Sequence, residues 1–236
     1  MKSERILYED KDIIVWHKPA GIATQTARVG QADMVSETAN YLKSPYVGVV
    51  HRLDQPVEGI LVFAKNKEAA AKLSRQAAGE IMRKEYLALV CGRNIPREGE
   101  LVDYLLKDGK TNISRIVPPE VKGAKKAVLE YEVIKEILSE KRDNNQDSLA
   151  LVKILLHSGR HHQIRVQMAG AGMPLLGDHK YGGQTALELS ARLGVRETAL
   201  CAYRLSFVHP RTGERMQFEI KPESEAFRGK FQDNAM

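Results

Sequence analysis

Short apolar runs separated by polar turns make up most of the chain, and they predict more strands than helices. Residues 6–8 and 13–16 flank a polar tetrapeptide and predict a β-hairpin. Similar runs predict further strands at 47–50, 60–64, 86–90, 128–137, 149–156, 199–208 and 216–220. These strands do not alternate regularly with helices, so the pattern favours an α+β fold with a mixed, largely antiparallel sheet over a doubly wound parallel fold.

Apolar residues at three- and four-residue steps predict four helices. The first covers residues 35–42, and the second runs from Ala70 to Ile81. A third is predicted over 161–169, with its start near Ser158, and a fourth over 187–193.

Composition indicates an ordinary globular protein. The 236 residues are 43% hydrophobic and 28% charged, which is enough to bury the core of one large domain or two small ones. The N-terminus lacks the pattern of a signal peptide, and no apolar run approaches the ~18 residues of a spanning helix. We therefore expect a cytoplasmic protein that does not bind membranes. Cys91 and Cys201 are too few for a disulfide scaffold.

The formal net charge of +6 is unevenly distributed. Residues 107–126 hold six basic residues against two acidic ones, a net charge of +4, together with the pair Pro118-Pro119. This pattern predicts a solvated loop, and a surface for a polyanion is the alternative.

Three polar segments are candidates for chemistry. The first is the loop 51–59 between two predicted strands, where Asp54 either takes part in catalysis or caps a turn. The second, 157–165, combines histidines and arginines beside a predicted helix N-terminus, which suits a phosphate or carboxylate. The third, 177–183, by itself predicts only a turn.

Cofactor and metal motifs are weak or missing. The sequence has no GxGxxG, GxxxxGK[ST] or GxSxG pattern, so nucleotide-cofactor and serine-hydrolase functions lose support. His157, His161 and His162 allow a metal site, but they form no HExxH pattern and no carboxylate is near them in the sequence.

Taken in order, these segments resemble the RluA-like family of RNA pseudouridine synthases over residues 6–222. The motifs that carry the resemblance are Lys-Pro-x-Gly at 18–21, His-Arg-Leu-Asp at 51–54, Lys-x-Tyr-x-Ala-Leu-Val at 84–90, Gly-Arg-x-His-Gln-Ile-Arg-Val at 159–166, Gly-Asp-x-x-Tyr-Gly at 177–182, Leu-x-Ala at 200–202 and His-Pro-x-Thr-Gly at 209–213. Three positions depart from the family pattern: Val57-Glu58 replace Thr-Ser, and His161 replaces Thr. We expect these changes to affect substrate recognition, since Glu58 would repel a nearby phosphate.

The resemblance implies a pseudouridine synthase catalytic fold, in which flanking helices and loops surround a central active-site cleft. It implies one catalytic domain over residues 1–236 with no separate N-terminal RNA-binding module. The implied activity is the isomerisation of specific uridines in ribosomal or transfer RNA, which needs no cofactor and no metal. We expect the protein to act as a monomer.

The resemblance also assigns the site residues. Asp54 supplies the essential carboxylate, as a nucleophile or to remove a sugar proton, and Arg165 pairs with it to keep it ionised. Tyr86 stacks on the flipped base. The other implied substrate-binding residues are Lys18, His51, Arg52, Arg160, His162 and Leu200.

Two functions from other classes stay open. One is a non-catalytic RNA-binding protein, against which the intact Asp54, Tyr86 and Arg165 argue. The other is a base-excising glycosidase, which needs a second carboxylate to activate water. Glu58 is the nearby candidate for that role.

Overall fold

The computed structural model describes residues 3–26, 30–79, 81–138 and 148–228, and its fold is α+β, as predicted. The strands in these ranges are β1 (Ile6–Glu9), β2 (Ile13–Lys18), β3 (Gly48–Val49), β4 (Glu58–Ala64), β5 (Arg83–Gly92), β6 (Glu98–Asp108), β7 (Ile113–Ile116), β8 (Lys125–Leu138), β9 (Ser148–Leu156), β10 (Leu200–Val208) and β11 (Arg215–Glu219). The helices there are α1 (Met34–Leu42), α2 (Lys67–Ala78), α3 (Gln163–Gly170) and α4 (Gly183–Leu193).

The chain divides into two compact units. Unit 1 comprises Met1–Lys84 and Cys201–Pro222, and unit 2 comprises Glu85–Leu200 and Glu223–Met236. The single catalytic domain over residues 1–236 stays a prediction. No helix in the described ranges has the length and apolar character needed to cross a membrane.

Unit 1 is built on the strand order β1-β2-β4-β10, with β3 on β4 and β11 on β10. All of these pairs are antiparallel except β4 with β10, so the sheet is mixed, as predicted. Every residue of β2 and β4 is buried. Val15, Val62 and Phe207 of the sheet pack with Leu73 of α2 in one hydrophobic core, and that core fixes the strand ends between which the loop 51–57 lies.

The parallel contact between β4 and β10 depends on a glycine. Gly59 has a φ of +148°, and a Cβ at this position would lie 2.4 Å from the Cβ of Ala202. Only glycine allows this backbone conformation and this close approach of the two strands. Gly59 therefore sets the position at which β4 leaves the candidate catalytic loop.

Unit 2 has the strand order β5-β9-β8-β6-β7, in which β7 is an edge strand. The pairs β6–β7, β6–β8 and β8–β9 are antiparallel, but of these four strands only β8 and β9 were predicted. α3 packs on this sheet through Val166, which contacts Leu105 and Ala127 in a second core. The connection between β8 and β9, predicted as a polar turn over 139–148, falls mostly outside the described residues.

Several predicted helix boundaries are wrong, among them the start of α4, which lies at Gly183 and not at 187. α3 begins at Gln163 rather than near Ser158, because His162 before it has a φ of 54° and cannot continue a right-handed helix. α2 ends at Ala78, so Ile81 lies outside it with 55% of its surface exposed.

The prediction of a solvated loop over residues 107–126 is also wrong for part of the segment. Residues 107–108 end β6, which pairs with β7, and β8 begins at Lys125, which leaves 109–112 as a turn and 117–124 as a loop. The four-residue strand β7 is too short for an alternating pattern to stand out in the sequence.

Candidate active site

Asp54 lies half-buried in the loop between β3 and β4, in unit 1. Its neighbour Leu53 is buried, with 6% exposed, and anchors the loop in the protein. The N–H of Val57 donates to the carbonyl of Asp54 at 3.0 Å, which closes a turn directly after the carboxylate. The loop therefore presents Asp54 on a backbone that is constrained on both sides.

Lys18 holds this loop through hydrogen bonds to backbone carbonyl groups. Its side chain is fully buried, and its Nζ donates to the carbonyl oxygens of Pro19 (2.9 Å), Ile22 (2.7 Å) and Gln55 (3.2 Å). One ammonium group thus joins the turn after β2 to the residue that follows Asp54. Its predicted role in substrate binding stays a prediction.

Thr24 and Gly21 complete the attachment of the loop. The Thr24 hydroxyl donates to the carbonyl of Leu53 (2.8 Å) and accepts from its N–H (3.0 Å). The N–H of Gly21 donates to the carbonyl of Gln55 (2.9 Å), and the Gln55 amide donates back to the Gly21 carbonyl (3.0 Å). Hydrogen bonds therefore fix the residue on each side of Asp54 to one segment, residues 18–24.

His51 and Arg52 differ in what they can offer a substrate. His51 Nε2 accepts from the N–H of Val62 (3.2 Å), and burial, together with the charge of Lys84, lowers the pKa of His51 to about 3. The imidazole is therefore neutral at physiological pH and supplies no positive charge to a phosphate. Arg52 is exposed, and its Nη2 donates to Gln25 at 3.2 Å, so it retains a solvent-facing cation beside Asp54.

Glu58 does not belong to the loop, although the sequence placed it there. It is the first residue of β4 and is 2% exposed, and its Oε1 lies 2.8 Å from Nε2 of His17 on β2. A buried carboxylate needs such a partner. With Glu58 buried against His17, the expected repulsion of a substrate phosphate by its carboxylate loses its basis.

We expect Lys18→Met to destabilise the protein by about 2–4 kcal/mol, because methionine fills the space but leaves carbonyl oxygens without their donor. Urea unfolding followed by circular dichroism measures the change. Lys72→Met is the matched control, because Lys72 is partly exposed on α2 and pairs only with Glu68 in the same helix among the ion pairs of the described residues. Equal unfolding midpoints for the two variants would contradict the bracing role of Lys18.

In unit 2, Arg165 on α3 is held by a buried carboxylate. Its Nε and Nη2 each donate to one oxygen of Asp178, both at 2.7 Å, and the two residues are 4% and 0% exposed. This two-point contact fixes the plane of the guanidinium. Arg165 and Asp54 belong to different units, and their pairing stays a prediction.

Asp178 is itself positioned by the backbone. The N–H groups of Lys180 and Tyr181 donate to its Oδ1, at 2.9 and 3.2 Å. Burial alone raises the pKa of Asp178, but Arg165 and these two amides outweigh burial and hold the pKa below its usual value. Gly177, with a φ of +68°, makes the turn possible, since a Cβ there would lie 2.0 Å from the carbonyl oxygen of Glu197.

Tyr181 connects Arg165 to the turn before α3. The Arg165 guanidinium lies 5.2 Å from the centroid of the Tyr181 ring, and the Tyr181 hydroxyl lies 2.7 Å from Nδ1 of His162. His162 stacks on His161 with 3.7 Å between ring centroids. His161 Nδ1 in turn lies 2.8 Å from the hydroxyl of Ser114 on β7. The motifs 159–166 and 177–182 thus form one cluster.

The remaining predicted site residues lie in unit 2. Arg160 is exposed, and its Nε donates to the carbonyl of Lys126 at 2.9 Å, so part of its guanidinium braces the turn. Tyr86 is buried on β5, and Leu200 is buried as the first residue of β10. Their contacts with substrate stay predictions.

The three histidines considered as metal ligands have separate partners. His157 bonds to Glu130 at 2.9 Å, while His161 and His162 bond to Ser114 and Tyr181. In the described ranges, one group of possible metal ligands in unit 1 consists of Asp10, Asp12 and His209. There His209 already bonds to Asp10, and Arg211 and Asn66 already bond to Asp12, so protein groups compensate the acidic charge.

Sequence reasoning missed four residues that shape these clusters: Lys18 as a brace, Thr24, Asp178 and Tyr181. The signal for Asp178 and Tyr181 was present, since both are fixed letters of the motif 177–182. Thr24 belongs to none of the quoted motifs, and only the fold shows that its hydroxyl reaches Leu53.

Comparison with known proteins confirms the resemblance. A family model described as RNA pseudouridylate synthase matches residues 12–170, and the chain belongs to this family. Among solved structures, the human RNA pseudouridylate synthase domain containing 4 shares the fold with a TM-score of 0.72 at 24% identity, covering 94% of this chain and 90% of that one.

Curated relatives are similar over most of this chain. The RNA pseudouridine synthase YhcT of Bacillus subtilis is 34% identical over 89% of this chain, and the ribosomal large subunit pseudouridine synthase D of Neisseria meningitidis is 34% identical over 91%. The chain spans 65% and 57% of the length of these two relatives. An Aquifex aeolicus RNA pseudouridine synthase is also 34% identical, over 94% of this chain and 70% of its own length.

Proposed function

We propose that the protein is an isomerase that converts specific uridines in ribosomal or transfer RNA to pseudouridine, as a monomeric single catalytic domain in the cytoplasm. The observation that carries the proposal is the attachment of the Asp54 loop. Hydrogen bonds from Lys18, Gly21 and Thr24 hold the residues beside Asp54 in a chain that belongs to the RNA pseudouridylate synthase family. A carboxylate on a fixed backbone, partly open to solvent, suits covalent or proton-transfer chemistry.

The chemistry follows from the bonds that change. The N1–C1′ bond of uridine breaks, the uracil turns, and its C5 joins C1′; C5 then loses its proton to solvent and N1 takes up a proton, so that the product is an isomer of uridine. Asp54 acts as a nucleophile or removes a sugar proton, and Arg165 keeps it ionised. The target base must first leave the RNA stack, which costs a few kcal/mol. Tyr86 then stacks on the flipped base. No redox group, cofactor or metal takes part in this scheme.

The relatives favour ribosomal RNA as the first substrate to test. The Neisseria meningitidis protein is named as an enzyme of the large ribosomal subunit. Transfer RNA is the second substrate class.

The structure also bears on the glycosidase alternative. Glu58, its candidate for activating water, is buried with Oε1 2.8 Å from His17. This position favours an isomerase, which needs the single carboxylate of Asp54, over an enzyme that needs two.

Transcripts labelled with tritium at C5 of uridine test the proposal. Pseudouridine formation releases the hydrogen at C5 to solvent, so tritium enters water at a rate that depends on the protein. A glycosidase would instead release labelled uracil, and a binding protein would release neither. Mapping pseudouridine in total RNA from cells with and without the protein then identifies the substrate.

We expect exhaustive chelation with EDTA to leave the rate of tritium release unchanged. The reaction as proposed needs only side chains of the protein. Loss of activity on chelation that zinc restores would contradict the metal-free scheme and bring back the histidines at 157–162 as ligands.

A further inference from the structure

Residues 107–126, which we name the basic hairpin, project an unusual density of cations into solvent. The basic residues are all exposed, and they are Lys107, Lys110, Arg115, Lys122, Lys125 and Lys126. Only Asp108 and Glu120 oppose them, so this segment carries a net charge of +4 in a chain of net charge +6. A local field of this kind attracts a polyanion.

Asp108 shapes the turn between β6 and β7. Its Oδ1 accepts from the N–H groups of Lys110 and Thr111, at 2.8 and 3.4 Å. These hydrogen bonds hold the pKa of Asp108 below its usual value. The carboxylate is therefore ionised at neutral pH, and the net charge of +4 already includes it.

The strand register places the aromatic residue Tyr104 directly opposite one cation and diagonal to a second. Arg115 on β7 is opposite Leu106, and Lys126 on β8 is opposite Tyr104. Because Tyr104 and Leu106 are two residues apart on β6, all four side chains share one face of the sheet. Cations that flank an aromatic ring match the pattern by which proteins bind single-stranded RNA, with phosphates on the cations and a base on the ring.

The basic hairpin is also tied to the turn that leads to Arg165. The N–H of Ser114 donates to the Tyr181 hydroxyl (2.9 Å), and the Ser114 hydroxyl lies 2.8 Å from His161 Nδ1. Lys180 Nζ donates to the carbonyl of Asn112 at 3.1 Å. His161, which replaces the threonine usual in the family, thus links the hairpin to the motif that carries Arg165. An RNA strand bound on the hairpin would be held at a fixed position relative to that motif.

We propose that the face formed by Tyr104, Leu106, Arg115 and Lys126 is a docking surface for single-stranded RNA that flanks the target uridine. This inference rests on the proposed function, and it assigns recognition to a part of the fold outside the motifs of the family. Charge complementarity and the exposed cations beside Tyr104 favour RNA over an acidic protein segment.

Binding of a fluorescent single-stranded oligouridylate of about 20 nucleotides tests the surface. We expect Arg115→Gln/Lys126→Gln to raise Kd about tenfold at moderate salt and to lower the slope of log Kd against log salt by about 1.4, since each lost phosphate contact contributes about 0.7. Tyr104→Leu should raise Kd at least about fivefold and leave the slope unchanged. Lys67→Gln/Arg75→Gln is the charge-matched control on α2 and should behave as wild type.

Equal Kd and slope for the hairpin variant Arg115→Gln/Lys126→Gln and the α2 control would overturn the inference. Polyglutamate that binds the wild type but not the hairpin variant, while oligouridylate binds both alike, would assign the surface to an acidic protein instead. Tritium release by the wild type separates this result from failure of the proposed function. A wild type that neither releases tritium nor binds oligouridylate overturns both.

Discussion

Asp54→Asn should reduce the rate of tritium release from C5-labelled RNA by at least about 10⁴-fold. The substitution keeps the size of the side chain and the backbone contacts of the loop, but it removes the anionic oxygen that acts as nucleophile or base. Both versions of the proposed chemistry therefore fail together. Single-turnover assays with enzyme in excess measure the chemical step directly.

The Asp54→Asn variant should still fold and bind RNA, because the side chain is half-buried and its neighbours are held through backbone groups. We expect its Tm to stay within a few degrees of the wild type and its Kd for RNA within about threefold. Glu68→Gln, an exposed carboxylate on α2, controls for the loss of one negative charge. Turnover by Asp54→Asn at the wild-type rate would refute the assignment of the catalytic residue.

Asp178→Ala should destabilise the protein by about 3–5 kcal/mol at pH 7, because it removes the buried carboxylate that holds the buried Arg165 guanidinium at two points. This is a large fraction of the stability of a domain of this size. Urea unfolding monitored by tryptophan fluorescence and circular dichroism measures the change. The double variant Arg165→Met/Asp178→Leu removes both charges and should recover at least half of the lost stability.

Stability against pH provides a second measurement of the same pair. The pKa of Asp178 in the folded state lies below its unfolded value, so its contribution to stability is fully present above about pH 4 and is lost as the pH falls through the folded pKa. The difference in stability between the wild type and Asp178→Asn should therefore shrink on acidification. A difference that stays constant down to pH 2, or a double variant no more stable than Asp178→Ala, would show that the ion pair is not the source of the effect.

Much of the fold could be predicted because its core strands carry the signal in their own side chains. Buried strands such as β2 and β4 are continuous apolar runs, and the helices α1 and α2 show apolar residues at helical spacing. β6 and β7 were both missed: the side chains of β6 are mostly half-buried or exposed, and β7 is a four-residue edge strand defined by its pairing with β6 and not by its own pattern. The start of α3 was predicted too early because the left-handed conformation of His162 is not encoded by residue type.

The site was predicted unevenly for a physical reason. Asp54 and Arg165 belong to short contiguous motifs, so the resemblance places them directly. Lys18 donates hydrogen bonds to carbonyl groups up to 37 residues away. Every residue has a backbone carbonyl, so the sequence does not show which of them a lysine will contact. Glu58 was placed on the loop because it is adjacent to it in the sequence, yet it is the first residue of the fully buried strand β4 and its carboxylate contacts His17.

The discontinuity of unit 1 has a consequence for biosynthesis. The segment that carries Asp54 leaves the ribosome before β10, but its strand β4 pairs with β10, and Gly59 meets Ala202 only after residues 85–200 have also been translated. Such non-local contacts form slowly, and domains generally fold once their last strand is available. A nascent chain stalled before residue 201 therefore holds Asp54 without the strand that completes its unit, and the sheet of unit 1 can close only after β10 has been translated.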